Sequence, residues 1–143
     1  MLQIRRCCSG DFDQVIYLLR QLWPDKPLDP AQLRAVFRRA LASDSKVYLC
    51  ATDARRLVGF GSFTVKDNLW PEGHLGYIDE LVVDTEYRTK GIGTQLLRRL
   101  TATAREKRCC RIELDSAFSR KLSHSFYKRR GFNSRAYVFS KIL

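Results

Sequence analysis

The chain predicts an α/β fold built on a mixed sheet, ordered β-α-α-β-β-β-α-β-α-β around a central parallel strand pair. Three observations carry this. Apolar residues recur at helical spacing in three segments. Between the second and third of these, strand-like runs meet across a polar turn, as in a hairpin. Further on, a strand, an amphipathic helix and another strand succeed one another closely, which implies a right-handed crossover between parallel neighbours. Its 143 residues are the size of one domain, spanning 1–143, with no internal repeat or linker.

Leu2 to Cys7 reads as the first strand. Asp11 is placed to cap a helix whose apolar positions are Val15, Ile16, Leu19 and Leu22. Trp23-Pro24-Asp25-Lys26-Pro27 breaks that helix. Asp29-Pro30-Ala31-Gln32 then supplies a cap, a proline at the first helical position and a Gln three residues after the cap. Leu33, Val36, Phe37, Ala40 and Leu41 mark the buried face of this second helix. Val47–Ala51 and Leu57–Val65 form the hairpin, with Gly59 and Gly61 leaving one strand face bare for a helix or a ligand. Leu75 to Val83 is the next strand, Ile92 to Ala104 a helix of about four turns, and Ile112 to Asp115 the following strand. A short helix over about Ser119 to Arg130 stops at Gly131, and Ala136 to Leu143 is expected to close the sheet.

The composition narrows the function classes. Hydrophobic residues make up 45%, enough for a packed core, and no apolar run approaches the roughly 18 residues of a membrane span. Met1 to Arg6 enters a strand pattern without the apolar stretch of a signal peptide, so a cytoplasmic location is expected. Five cysteines, two pairs of them adjacent, make neither a disulfide framework nor a zinc spacing, and are expected to act as small buried or half-buried hydrophobes. With two histidines and no ligand spacing, no protein-built metal site is expected. The net charge of +11 suits an anionic partner, but the basic residues spread from Arg5 to Lys141 and form no solid tract.

One stretch concentrates that charge beside special backbone. Arg88-Thr89-Lys90-Gly91-Ile92-Gly93 lies between an apolar strand and the start of a helix. A helix N-terminus carries unpaired N–H groups and about half a positive charge. Glycines let a phosphate approach that backbone. Taken alone, the same stretch would serve equally as a tight strand-to-helix turn.

The next helix closes on a second motif, Phe126-Tyr127-Lys128-Arg129-Arg130-Gly131-Phe132. Together with Tyr77-Ile78-Asp79-Glu80-Leu81-Val82-Val83-Asp84, the pair resembles the GNAT superfamily of acetyl-CoA-dependent N-acetyltransferases over essentially the whole chain. Glu80-Leu81-Val82-Val83, His124-Ser125-Phe126-Tyr127 and Val138-Phe139-Ser140-Lys141 are loosely similar to the bacterial aminoalkylphosphonate N-acetyltransferases, although that group tends to carry an acid where Tyr77 stands.

The resemblance implies direct attack of an amine on the acetyl thioester in a ternary complex. It also implies that Arg88, Thr89, Lys90, Gly91, Ile92, Gly93 and Thr94 take the cofactor pyrophosphate. Leu81, Val82 and Val83 would meet the pantetheine arm and the oxyanion through the backbone, with Ser123 a weaker contact. A primary amine of pKa about 10.4 needs roughly 4–5 kcal/mol to lose its proton at pH 7, so a base is wanted. Asp79 and Glu80 are the adjacent acids of the central strand. Successive strand residues face opposite sides, so only one of the two is expected to reach the amine. The closer resemblance favours Glu80, and other members keep Asp79 open. Tyr127 would return a proton to the departing thiolate.

For His124 a packing or hydrogen-bonding role is expected, for His74 an exposed loop position, and for Lys128, Arg129 and Arg130 a solvated cationic face. Trp23 to Leu28 is the candidate acceptor loop, with Lys26 placed to meet an anion. The expected partner is a small amine, for which an anionic one would suit the positive surface; no membrane or nucleic acid is expected, and family dimers leave a homodimer open. Acetylation of a protein lysine or N-terminus, and a non-catalytic basic module binding CoA or nucleic acid, are the alternatives.

Overall fold

The computed structural model describes residues 1–143, which pack as two compact units, Met1–Glu113 and Leu114–Leu143. The first unit is a five-stranded sheet in the order β1-β2-β3-β4-β5: β1 Leu2–Arg6, β2 Lys46–Asp53, β3 Arg56–Asn68, β4 Gly73–Val83 and β5 Cys109–Leu114. The first four strands pair antiparallel, and β5 lies parallel to β4 after a helical crossover. Helices α1 (Phe12–Leu22), α2 (Pro30–Leu41) and α3 (Ile92–Glu106) complete it. No helix is long and apolar enough to cross a membrane.

Helix α2 begins as its sequence dictates. The Asp29 carboxylate accepts from the amides of Ala31 and Gln32 at 3.0 and 3.2 Å, with Pro30 at the first position. Helix α1 does not. Asp11 occupies its N-cap position but gives no side-chain cap; its carboxylate instead pairs with Arg5 at 2.8 and 2.9 Å and accepts from the Cys8 amide at 2.7 Å. A charged partner on β1 outcompetes the helix's own amides, because a bidentate guanidinium bond is stronger than a neutral cap. Asp11 thereby ties β1 to the head of α1, and Arg5 holds its carboxyl down to about 2.

The glycines of β3 decide which helix covers which face. A Cβ on Gly59 would lie 2.8 Å from Leu96 Cδ1, and one on Gly61 3.1 Å from Leu100 Cδ1, so α3 packs directly on this bare stripe. The helix, not a ligand, uses the bare face. The opposite face carries Cys50, Phe60 and Val82, which pack with Phe12, Val15, Leu19 of α1 and Phe37 of α2 in the main core cluster.

Two register slips interrupt the ladders. Ala51 pairs with Gly59 but Thr52 with Leu57, leaving Val58 as an extra residue. Ser62 pairs with Glu80 but Phe63 with Ile78, leaving Asp79 extra on β4. The second slip sits at the predicted site.

The second unit holds α4 (Lys121–Lys128), shorter than the predicted Ser119 to Arg130, followed by Gly131 at φ +90°. The strand expected over Ala136–Leu143 does not form. Phe139 and Ile142 are 92% and 98% exposed, and Tyr137 of this tail meets the rings of Phe118 and Phe139 at 6.1 and 6.4 Å. Alternating apolar residues give a strand its period, but the ladder needs an edge to pair with.

The cysteines divide. Cys7 and Cys50 are buried and Cys109 is half-buried, whereas Cys8 and Cys110 are exposed, contrary to the expectation for those two; all five are free.

Candidate active site

The bulge at Asp79 overturns the expectation that only one of the two acids reaches the acceptor side. An extra residue interrupts the alternation of faces, so Asp79 and Glu80 both turn toward the face carrying Ser62 and Thr64. Thr64 Oγ1 donates to Asp79 Oδ2 at 2.6 Å, and Ser62 Oγ donates to Glu80 Oε1 at 2.8 Å while accepting from the Glu80 amide at 3.2 Å. Lys46 Nζ donates to Thr64 Oγ1 at 2.9 Å, which links a cation to Asp79 through one hydroxyl. Sequence reasoning missed Lys46, Ser62 and Thr64; the i, i+2 spacing of the two hydroxyls on β3 was the available signal, but the partners lie 15 to 18 residues away.

Both carboxylates line a cavity of about 250 Å³ between the sheet and helices α1 and α2. Phe12, Phe37, Tyr48 and Phe60 form its aromatic wall, and Trp23, the first residue of the predicted acceptor loop, lies among the lining side chains. Lys26 is exposed and lies outside that lining, as does His74, which sits on β4 and pairs with Asp67. Burial, and then the charges of Glu80 and Asp79, push the Tyr48 phenol up to about 12. Tyr48 therefore stays a hydrogen-bond donor in this cavity throughout the neutral range.

Immediately after the acids, β4 presents its backbone to the other side. The Asp84 amide donates to Val58 O at 2.9 Å, so by the alternation of an antiparallel ladder the amides and carbonyls of Leu81 and Val83 point away from β3. Val82, between them, is buried with its side chain in the core. Arg88 Nε meets Val83 O at 3.1 Å.

Beyond Val83 the chain makes a 3-10 turn over Thr85–Tyr87, capped by the fully buried Asp84. Asp84 accepts from the Glu86 amide at 3.1 Å and from Arg56 at 2.9 Å; Arg56 also holds Glu86 at 2.8 Å. Arg56 and Lys90 both lie over the Tyr87 ring, at 5.2 and 5.0 Å from its centroid. This brace fixes the approach to the glycine motif and was not foreseen, because Arg56 comes from β3, 28 residues earlier.

The motif itself has the conformation its residues suggested. Gly91 is the N-cap of α3 at φ +80°, and a Cβ there would meet nothing within 4 Å. Thr89 also adopts positive φ, +66°. The first helical bond is Gln95 N–H to Gly91 O at 3.1 Å, so the amides of Ile92 and Gly93 precede the ladder, and no cap side chain takes them. Arg88 and Lys90 are exposed beside this mouth. Open amides, a Cβ-free approach and two cations fit a diphosphate.

In the second unit Tyr127 is half-buried between Phe126 and Phe132, with ring centroids at 5.3 and 5.6 Å. Burial pushes its phenol up, opposed by the charge of Arg120, so it keeps its proton at neutral pH. Ser123 lies one turn earlier, half-buried. His124 Nε2 bonds Ala117 O at 2.9 Å, a structural role. Arg130 folds back on its own helix, donating to Phe126 O at 2.9 Å.

One further convergence escaped the sequence reading. Ligand atoms of Cys7, Asp11 and Cys50 lie within 4.8 Å of one another in the core, where the Asp11 carboxylate is already held by Arg5 and the Cys8 amide.

The model of the acetyltransferase (GNAT) family matches residues 12–132, which contain both acids, the glycine motif and Tyr127. The chain belongs to the GNAT acetyltransferase family. As a GNAT protein it is an acetyl-CoA-dependent N-acetyltransferase. It is 30% identical to the glucosamine 6-phosphate N-acetyltransferase of Trypanosoma brucei brucei, over 93% of this chain and 90% of the relative. It is also 30% identical to the aminoalkylphosphonate N-acetyltransferase of Salmonella typhimurium, over 99% of this chain and 91% of the relative. Among solved structures, a putative acetyltransferase from Agrobacterium tumefaciens superposes with a TM-score of 0.87 at 24% identity, covering 99% of each chain, and shares the GNAT fold.

Proposed function

We infer that this GNAT enzyme acetylates a small primary amine by direct attack, with the amine entering the cavity above Asp79 and Glu80. The observation that carries this is the bulge, which puts two carboxylates at the cavity end of the strand whose next residues turn their backbone outward. Acetyl-CoA supplies the acyl group as an activated thioester. The amides of Ile92 and Gly93, with Arg88 and Lys90, hold its diphosphate. Glu80 takes the amine proton, with Asp79 the alternative base, so that the nitrogen lone pair reaches the carbonyl carbon. The backbone N–H of Leu81, which points away from β3, stabilises the oxygen as the C–N bond forms. As the C–S bond breaks, Tyr127 gives its proton to the thiolate; the second nitrogen proton, released as the amide forms, passes through solvent to restore the tyrosine, and the proton taken by Glu80 returns to solvent.

Thioester consumption across a panel of small amines tests this. Glu80→Gln should lower kcat about a hundredfold at pH 7, with the deficit shrinking as pH rises toward the amine pKa. Tyr127→Phe should lower kcat while leaving acetyl-CoA binding intact. Failure to bind acetyl-CoA or to turn over any amine would overturn the reading; a larger loss in Asp79→Asn than in Glu80→Gln would move the base by one residue.

A further inference from the structure

The lining of the acceptor cavity specifies a chemistry that differs from the substrates named for the Trypanosoma and Salmonella relatives. Resting on the acetyl-transfer reading, we propose that the acceptor is an arylalkylamine: one aromatic ring, a short arm, and the amine as its single charge.

Size comes first. A cavity of about 150 Å³ accommodates benzene. The space here, about 250 Å³, therefore holds one ring with two or three further heavy atoms.

The walls decide polarity. Phe12, Phe37, Tyr48 and Phe60 form a continuous series of tilted and edge contacts, with successive centroids 5.5, 5.5 and 5.3 Å apart. Phe12, Phe37 and Phe60 are fixed in the core at 3%, 4% and 1% exposure, so they form the rigid floor of a slot whose accessible rings are the half-buried Tyr48 and Trp23. A ring entering it gains apolar burial and edge or offset ring contacts. A sugar would instead press hydroxyls against these faces, where each left without a partner is disfavoured.

Charge supplies the remaining selection. Lys46, Asp79 and Glu80 are the charged side chains of the lining, which together carry one net negative charge. The Lys46 ammonium is bonded to Thr64, whose hydroxyl is bonded to Asp79. A single ammonium balances this lining. A phosphate or phosphonate on the acceptor would bring further negative charge beside two carboxylates, with a lysine already engaged on their side.

The test compares 2-phenylethylamine with 2-aminoethylphosphonate, glucosamine 6-phosphate and neamine, measuring kcat/KM by thiol release from acetyl-CoA. The expected result is at least about tenfold preference for 2-phenylethylamine over each of the others. Val36 lines the cavity and is 44% exposed, so Val36→Asp should fold; it should raise the KM for 2-phenylethylamine about tenfold. A binding readout runs beside turnover. The chain has two tryptophans, so Trp70→Phe leaves Trp23 alone to report on the cavity. Its fluorescence should respond saturably to 2-phenylethylamine in the presence of coenzyme A, and not to 2-aminoethylphosphonate. Preferred turnover of the phosphonate, the sugar phosphate or neamine would overturn the arylalkylamine class and leave acetyl transfer standing. If no amine is acetylated, the acetyl-transfer reading falls, and absence of a saturable Trp23 response then overturns the class as well.

Discussion

Gly59→Ala puts a single methyl where β3 and α3 touch, and its consequence can be worked from three distances. The new carbon would sit 2.8 Å from Leu96 Cδ1, 3.3 Å from Ile92 Cγ2 and 3.4 Å from Ala51 Cβ. Carbon atoms rest about 3.5–4.0 Å apart, so the Leu96 contact must open by roughly an ångström. Leu96 is fully buried, so its methyl cannot swing into solvent and the helix must lift. Overpacking of this kind costs about 1–3 kcal/mol. Alanine's stiffer unfolded chain offsets about 0.4–1 kcal/mol of that, leaving a net loss of roughly 1–2 kcal/mol. For a domain of this size that is a fall in Tm of roughly 3–7 °C. Because Ile92 and Leu96 belong to the first turns of α3, the same displacement should weaken acetyl-CoA, read as a raised KM. Gly73→Ala is the control: a Cβ there meets nothing within 4 Å, so stability should stay within about 0.5 kcal/mol of the parent. Calorimetry and acetyl-CoA titration of both variants decide the matter. If Gly59→Ala melts with the parent and binds cofactor equally well, α3 does not depend on this close approach.

Other perturbations have equally direct readouts. Gly91→Ala keeps open space but forces alanine to φ +80°, at about 1–2 kcal/mol; acetyl-CoA affinity should fall, measurable by calorimetric titration. Asp11 is held at about 2 against an ordinary 3.8, so its ion pair stabilises the fold fully above about pH 4 and loses that contribution as pH falls through 2. Asp11→Asn should therefore cost roughly 2 kcal/mol in denaturant unfolding at pH 7, with the difference from the parent narrowing toward pH 2. Ser62→Ala removes the hydroxyl bonded to both the carboxylate and the amide of Glu80, worth about 1–3 kcal/mol. Its kcat should drop about tenfold while the KM for acetyl-CoA holds, in steady-state assays.

Local chemistry was legible where it was also sufficient. Asp29-Pro30 started α2 because a cap and a proline act within one turn of the chain. Gly91 could be read as a helix entrance because a positive φ is a property of a single residue. The period of Ile92, Leu96, Leu97 and Leu100 set a helix and its buried face, and Gly59 with Gly61 announced that something would lie close upon β3.

The failures share one cause: each depended on a partner in another segment of the chain. Asp11 looked like a cap until Arg5, on β1, offered a stronger bond. The closing segment from Ala136 had a strand's alternation, yet pairing is a property of two segments. The bulge at Asp79 matters most. Alternation along β4 assigned the acids to opposite faces, and a slip in register against β3, invisible in either strand alone, brought them together beneath one aromatic cavity. The sequence by itself determined the elements from β1 to α4, their order and the glycine entrance to α3, since these arise from neighbouring residues. Tertiary structure alone decided how many carboxylates face the acceptor and which side chains surround it, because strand register is fixed only when two strands pair.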